Sequence, residues 1–153
     1  MRAFKPNRPT DKSIVRINKD INDTNQKNTV LITATFPCTV TGIRWNVHAY
    51  NETGNLNTFF WAIVLVKEGE SAKAFGTGDG NTFYTPEQNC LAFGSMILGD
   101  KDGEQQVGDV MGSTKTMRKL QAGDQLMFIC QWSIVDTGAA GSVGGEIMFF
   151  CKS

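Results

Sequence analysis

The sequence predicts an all-β domain, an antiparallel sandwich or barrel. Three observations carry this expectation. About eight segments show strand-like apolar alternation or short unbroken apolar runs. Turn-forming Gly, Pro, Asn and Asp cluster between them. Helix-start chemistry occurs at one place only.

Residues 1–12 lack periodicity and contain Pro6 and Pro9, so they are expected to form a flexible or extended arm. "SIVRIN" (13–18) fits a short outer strand, and 19–28 a polar loop. "TVLITATF" (29–36) places Val30, Ile32, Ala34 and Phe36 on one face and threonines on the other. Pro37 ends it. In 40–50, Ile43, Trp45, Val47 and Ala49 are expected inside, with Arg44, Asn46, His48 and Tyr50 outside. Val40 is out of phase with that set, and Gly42 is the place for a bulge that resets it.

A turn-rich loop, 51–57, leads to "TFFWAIVLV" (58–66), apolar on both faces as a strand covered on both sides would be. Residues 67–88 read as loop. Within them "TPEQ" (85–88) offers a capping Thr85, Pro86 at the first helical position and Gln88 to bond back, enough for about one turn. "CLAFGSMIL" (90–98) is the next strand and 99–113 an exposed loop. Residues 114–120 form a strand with a polar face. In the turn "QAGD" (121–124), Gly123 supplies freedom in φ and Asp124 bonds its own backbone. A central strand (125–135), a small-residue loop (136–145) and a closing strand (146–151) complete the chain. No internal repeat is visible.

The length, 153 residues, suits one domain with a real core. No apolar run reaches transmembrane length, so membrane insertion is not expected. The polar N-terminal stretch does not read as a secretory signal, so none is expected. Charge is uneven although the net is zero: residues 1–28 hold seven cations against three acids, and the remainder eight against twelve. A basic leader on an acidic body suits an arm that meets a polyanion.

Chemistry of the catalytic kind finds little support. Cys38, Cys90, Cys130 and Cys151 form no CxxC pair, and with one histidine a metal site is not expected. They read as buried, reduced thiols. His48 would have to serve any Ser-His or Cys-His arrangement, yet it falls on an outward strand face. "GTGDG" (76–80) lacks the strand and helix of a phosphate loop, and "DKDG" (100–103) lacks the later ligands of a calcium loop. The acids Asp100, Asp102, Glu104 and Asp109 lie in loop-like sequence, where nothing would raise a carboxyl pKa. The expectation is a non-enzyme with no cofactor.

Several segments, in this order, resemble capsid proteins of small circular single-stranded DNA viruses of the circovirus-like, Rep-encoding group. They are "TATFPCTVTGIRW" (33–45), "WAIVLVKEG" (61–69), "FYTPEQNCLAFG" (83–94), "TKTMRKLQAGDQLMFI" (114–129) and "FFCKS" (149–153). The resemblance covers roughly residues 29–153. It implies a single jelly roll of eight strands in two sheets and self-assembly into a small icosahedral shell, T=1 in geometry. It implies a circular single-stranded DNA genome inside with the arm, a virion location after assembly in a host cell, and a receptor whose identity is open. The division implied is a basic arm and outer strand, 1–28, before a jelly-roll domain, 29–153. The family's long arginine-rich arm is represented here by three arginines.

The arm cations Arg2, Lys5, Arg8, Lys12 and Arg16 are the expected nucleic-acid contacts, because a mobile arm can follow a backbone. Strand alternation puts Lys115 and Lys119 on one face and Arg118 on the other. Without interleaved aromatics, that cluster reads as a sheet rim or subunit contact. Phe83, Tyr84 and Pro86 are expected in subunit contacts as well. The alternative is a β-sandwich binding module, lectin-like or a trimeric domain of the tumour-necrosis-factor type, with Phe83 and Tyr84 as its aromatic platform.

Overall fold

The computed structural model describes residues 3–4, 11–21, 23, 25–52, 58–72, 90–98, 106–132 and 140–152. The expected helical turn at 85–88 lies outside these residues. Among those described, the elements are strands: β1 (Ala3–Phe4), β2 (Asp11–Asp20), β3 (Lys27–Ala34), β4 (Cys38–Asn51), β5 (Thr58–Val66), β6 (Cys90–Ile97), β7 (Gln106–Leu120), β8 (Gln125–Trp132) and β9 (Gly141–Lys152).

They form two sheets, ordered β1-β3-β8-β5-β6 and β2-β9-β4-β7. The two-residue β1 lies parallel to β3, and every other pairing is antiparallel. Without β1, eight strands divide four and four. The β5–β6 connection stays within a sheet, while every other connection from β2 to β9 crosses between sheets. This is the double Greek-key weave of a jelly roll.

Alternating side chains build the core between the sheets. On β4, Val40, Ile43, Val47 and Ala49 are buried while Arg44, Asn46 and His48 are exposed. Val40 and Ile43 both face inward because the register shifts between Val40 and Gly42, the bulge expected there. On β5, Phe59, Trp61, Ile63 and Leu65 enter the main core. Phe60, Ala62, Val64 and Val66 form a second cluster with Ile129, against which Ala72, Cys90 and Met127 pack. Both faces of that strand are buried, as its composition implied. Phe59 meets Trp132 edge-on at 5.2 Å.

Four expectations are corrected. Phe36 does not share the inner face with Ile32 and Ala34; it is 52% exposed and lies beyond the end of β3. A second register shift, between Val30 and Ile32, makes Leu31 the extra residue, so Leu31 and Ile32 are both buried and Val30 is not. Residues 106–113, read as loop, belong to β7 and pair with β4 as far as Asn51. Residues 141–145, read as a small-residue loop, are part of β9, which lies between β2 and β4. Gly145 adopts φ 135°, and a Cβ there would fall 2.1 Å from the Asn46 carbonyl oxygen. Glycine therefore marks close packing here rather than a loop.

The turn after β7 forms as expected. Gly123 has φ 93° and donates its N–H to the Ala34 carbonyl at 2.8 Å. The Asp124 carboxylate accepts from the Gln121 N–H at 2.9 Å and from the Glu68 N–H at 3.1 Å, with Lys67 Nζ at 3.6 Å. At the far end, Asn51 donates to the Leu98 carbonyl at 2.9 Å and ties the two sheets together.

Candidate functional site

The register of β2, β9, β4 and β7 decides which side chains share the outer face of that sheet. Ile14 lies opposite Met148, Met148 opposite Arg44, and Arg44 opposite Ser113. The next row runs Arg16, Glu146, Asn46 and Met111. Extending this alternation puts six cations on the face: Lys12 and Arg16 from β2, Arg44 from β4, Lys115 and Lys119 from β7, and Lys152 from β9. Three carboxylates, Asp20, Asp109 and Glu146, accompany them.

Two of those carboxylates have local partners. Glu146 lies 3.5 Å from Arg16 Nε, an exposed pair worth little in water. Asp109 lies 2.5 Å from His48 Nδ1. Three open depressions cover the face. One of about 460 Å³ is floored by Ile14, Met111 and Met148 beside Arg44. A second of about 370 Å³ lies between Arg44, Lys115 and Phe150. A third of about 500 Å³ is bordered by Arg16, Asn18 and His48. Each carries a cation at its rim, and the first also exposes aliphatic surface.

The outer face of the other sheet differs. Its described outward positions are residues such as Thr33, Gln125, Met127, Gln131, Phe93, Ser95 and Ile97, with no Asp, Glu, Lys, Arg or His among them. Phe93 and Ile97 are 54% and 73% exposed.

Of the arm cations named from sequence, Lys12 and Arg16 stand on β2, within the charged face; Arg2, Lys5 and Arg8 lie outside the described residues, as do Phe83, Tyr84 and Pro86. Lys115 and Lys119 share the outer face. Arg118 lies opposite buried Val40 and, by its charge, favours the thiolate of Cys90, against the larger opposing effect of burial. Arg44 and Lys152 were not grouped with these by sequence reasoning. Their outward phase was visible on β4 and β9, but only sheet order brings them beside Lys12 and Lys115.

Reactive groups are few. Cys38, Cys130 and Cys151 are buried thiols outside any disulfide, and Cys90 is half-buried. Burial pushes Cys130 up to about 12, far from the thiolate that nucleophilic chemistry needs. Among the described residues, no group of three His, Cys, Asp or Glu is placed to hold a metal.

Comparison with known proteins gives fold and no family. No family profile matches the chain. No curated protein matches it either. Among solved structures it is similar to an aminopeptidase from the marine sediment archaeon Thaumarchaeota archaeon, with TM-score 0.52 and 11% identity, over 86% of this chain and 26% of that one. It also aligns with a structure of infectious bursal disease virus, Gx strain, at TM-score 0.36 and 9% identity, over 94% of this chain and 40% of that one. The chain thus spans about a quarter of the first and two fifths of the second. The first likeness shows the sandwich fold alone, and the second carries no argument at its score.

Proposed function

We propose that this chain is a structural coat protein that self-assembles into a closed shell around single-stranded nucleic acid, with the cationic sheet face turned toward the polyanion. The observation that supports this reading is the difference between the two outer faces. One carries six cations and the other no charged side chain among its described positions. A shell wall needs one surface for phosphate and a different one elsewhere, and a flat array of lysine and arginine binds a phosphate backbone without reading sequence. The aliphatic floor of Ile14, Met111 and Met148 offers contact to splayed bases, though without the aromatic stacking of dedicated single-strand binders. The segment resemblance to circovirus-like capsids points the same way, toward a T=1 particle and a DNA genome. On this reading the chain performs no catalysis and needs no cofactor.

Purified protein examined by light scattering and negative stain tests the proposal. Uniform particles far larger than a trimer, with a raised 260/280 nm absorbance ratio, are the expected result. A monomer or small oligomer at every salt and pH, with no affinity for single-stranded DNA, overturns it.

A further inference from the structure

In the four-stranded sheet β7 is an edge. Among the described residues its pairing partner is β4, and its other side runs fifteen residues with no strand beside it. Long open edges are templates for another strand unless charge or irregularity blocks them. Charge on β7 is segregated. Lys115, Arg118 and Lys119 occupy its C-terminal half, while Asp109 stands in the N-terminal half with no cation. A parallel neighbour of the same sequence would set cations against cations. An antiparallel one sets each basic half against the half that carries Asp109.

We propose that β7 pairs antiparallel with β7 of a second copy, about a two-fold axis at Thr114. In that register Asp109 of each copy faces Lys119 of the other, and Met111 faces Met117. Met111 and Met117 are 74% and 66% exposed in the single chain, and both lie on the outer face. Each contact occurs twice, as a two-fold interface requires. The pairing joins two four-stranded sheets into one continuous sheet whose cationic faces point the same way. The other edges suit this role less well. On β2, the register that sets Lys12 against Asp20 also sets Arg16 against its own copy. On β6 no charge exists to fix a direction.

The pairing rests on the self-association that the coat-protein reading requires, but not on a shell or on nucleic acid. Two sets of variants test it, read by light scattering across a concentration series. Asp109→Lys and Lys119→Asp should each weaken association by at least about tenfold, and the double reversal should restore most of it. Separately, Met111→Cys with Met117→Cys should give a covalent dimer under mild oxidation, absent from either single variant and from the wild type. Charge reversals that leave association unchanged, or crosslinking no greater than in the singles, overturn the pairing. If the wild type forms shells while both tests fail, the pairing is wrong and the coat reading survives. If it stops at a dimer that both tests support, the pairing stands and the coat reading falls.

Discussion

The indole of Trp45 on β4 lies over Gly112 on β7, so that a Cβ at Gly112 would sit 2.4 Å from Trp45 Cζ2. The same arrangement recurs across the sandwich, where Trp61 on β5 covers Gly94 on β6, with Nε1 2.7 Å from a Cβ placed there. The two indoles meet at 5.3 Å between centroids. Each sheet thus reserves a side-chain-free place on an outer strand for a tryptophan from its inner neighbour.

Gly112→Ala should therefore destabilise the fold by about 1–3 kcal/mol through overpacking, although alanine suits a strand no worse than glycine. Trp45→Leu in the same chain should recover part of that loss, because the clashing ring is gone. Denaturant titration of the two singles and the double gives the coupling; simple additivity would show that the two residues do not compete for one space.

Gly145→Ala should cost more than Gly123→Ala. Both glycines have positive φ, but the new methyl at 145 meets backbone, the Asn46 carbonyl oxygen at 2.1 Å, whereas at 123 it meets the movable end of Glu68. A gap of about 1–2 kcal/mol is expected, with soluble yield following it. Gly123→Val adds β-branching at positive φ and should lose about 1–3 kcal/mol. Equal melting temperatures for the two alanine variants would refute the ranking.

Asp124 should make the fold acid-sensitive. Burial alone would raise its pKa, but the Gln121 and Glu68 amides, together with Lys67, outweigh that and hold it below the ordinary 3.8. A carboxylate depressed in the folded state contributes its stability above the unfolded value. That contribution is lost as pH falls below about 4 toward the folded pKa. Asp124→Asn should be less stable at pH 7, and its stability should fall less steeply between about pH 4 and 2. Parallel melting curves across that range would remove Asp124 from the account.

On the coat-protein reading, deleting residues 1–10, which removes β1 and stops short of β2, tests the N-terminal segment against the sheet face in nucleic-acid binding. If the arm dominates, particles lose most of their 260 nm absorbance. If the face dominates, Lys12→Gln with Arg44→Gln has the larger effect and flattens the log–log salt dependence for single-stranded DNA by about 1.4 units of slope. The face is the expected winner on that reading, because Lys12 and Arg16 stand on β2, which extends the sheet face that also carries Arg44.

Much of the architecture was legible in the chain. The β4 alternation and its bulge could be read because Val40 and Ile43 cannot both face inward on a regular strand. The turn at Gly123 could be read from Gly-Asp chemistry. What misled was glycine inside strands. Gly108, Gly112, Gly144 and Gly145 are local turn signals, and only the Met96 side chain, the Trp45 indole and the backbone packed on three of them reveal why they sit in β7 and β9. Leu31 misled for the same kind of reason, since a bulge hides a change of face within an even alternation. The candidate site was less legible. Lys12, Arg44, Lys115 and Lys152 come from four separate segments, and a jelly roll places such segments together only through its non-sequential strand order.

That order has a kinetic consequence. β9 is hydrogen-bonded to β2 along ten consecutive partners, beginning with Asp11 opposite Cys151. Nearly the whole described chain must be spanned before the first of those bonds can form, and loop-closure entropy opposes it until many form together. The β5–β6 hairpin and the β8 strand beside β5 involve shorter separations and should organise first. The rate-limiting event is then the insertion of β9 between β2 and β4, on the millisecond-to-second scale of non-local β proteins. Until it occurs the complete cationic sheet does not exist: Lys12 and Arg16 on β2 join Arg44, Lys115 and Lys119 only through β9.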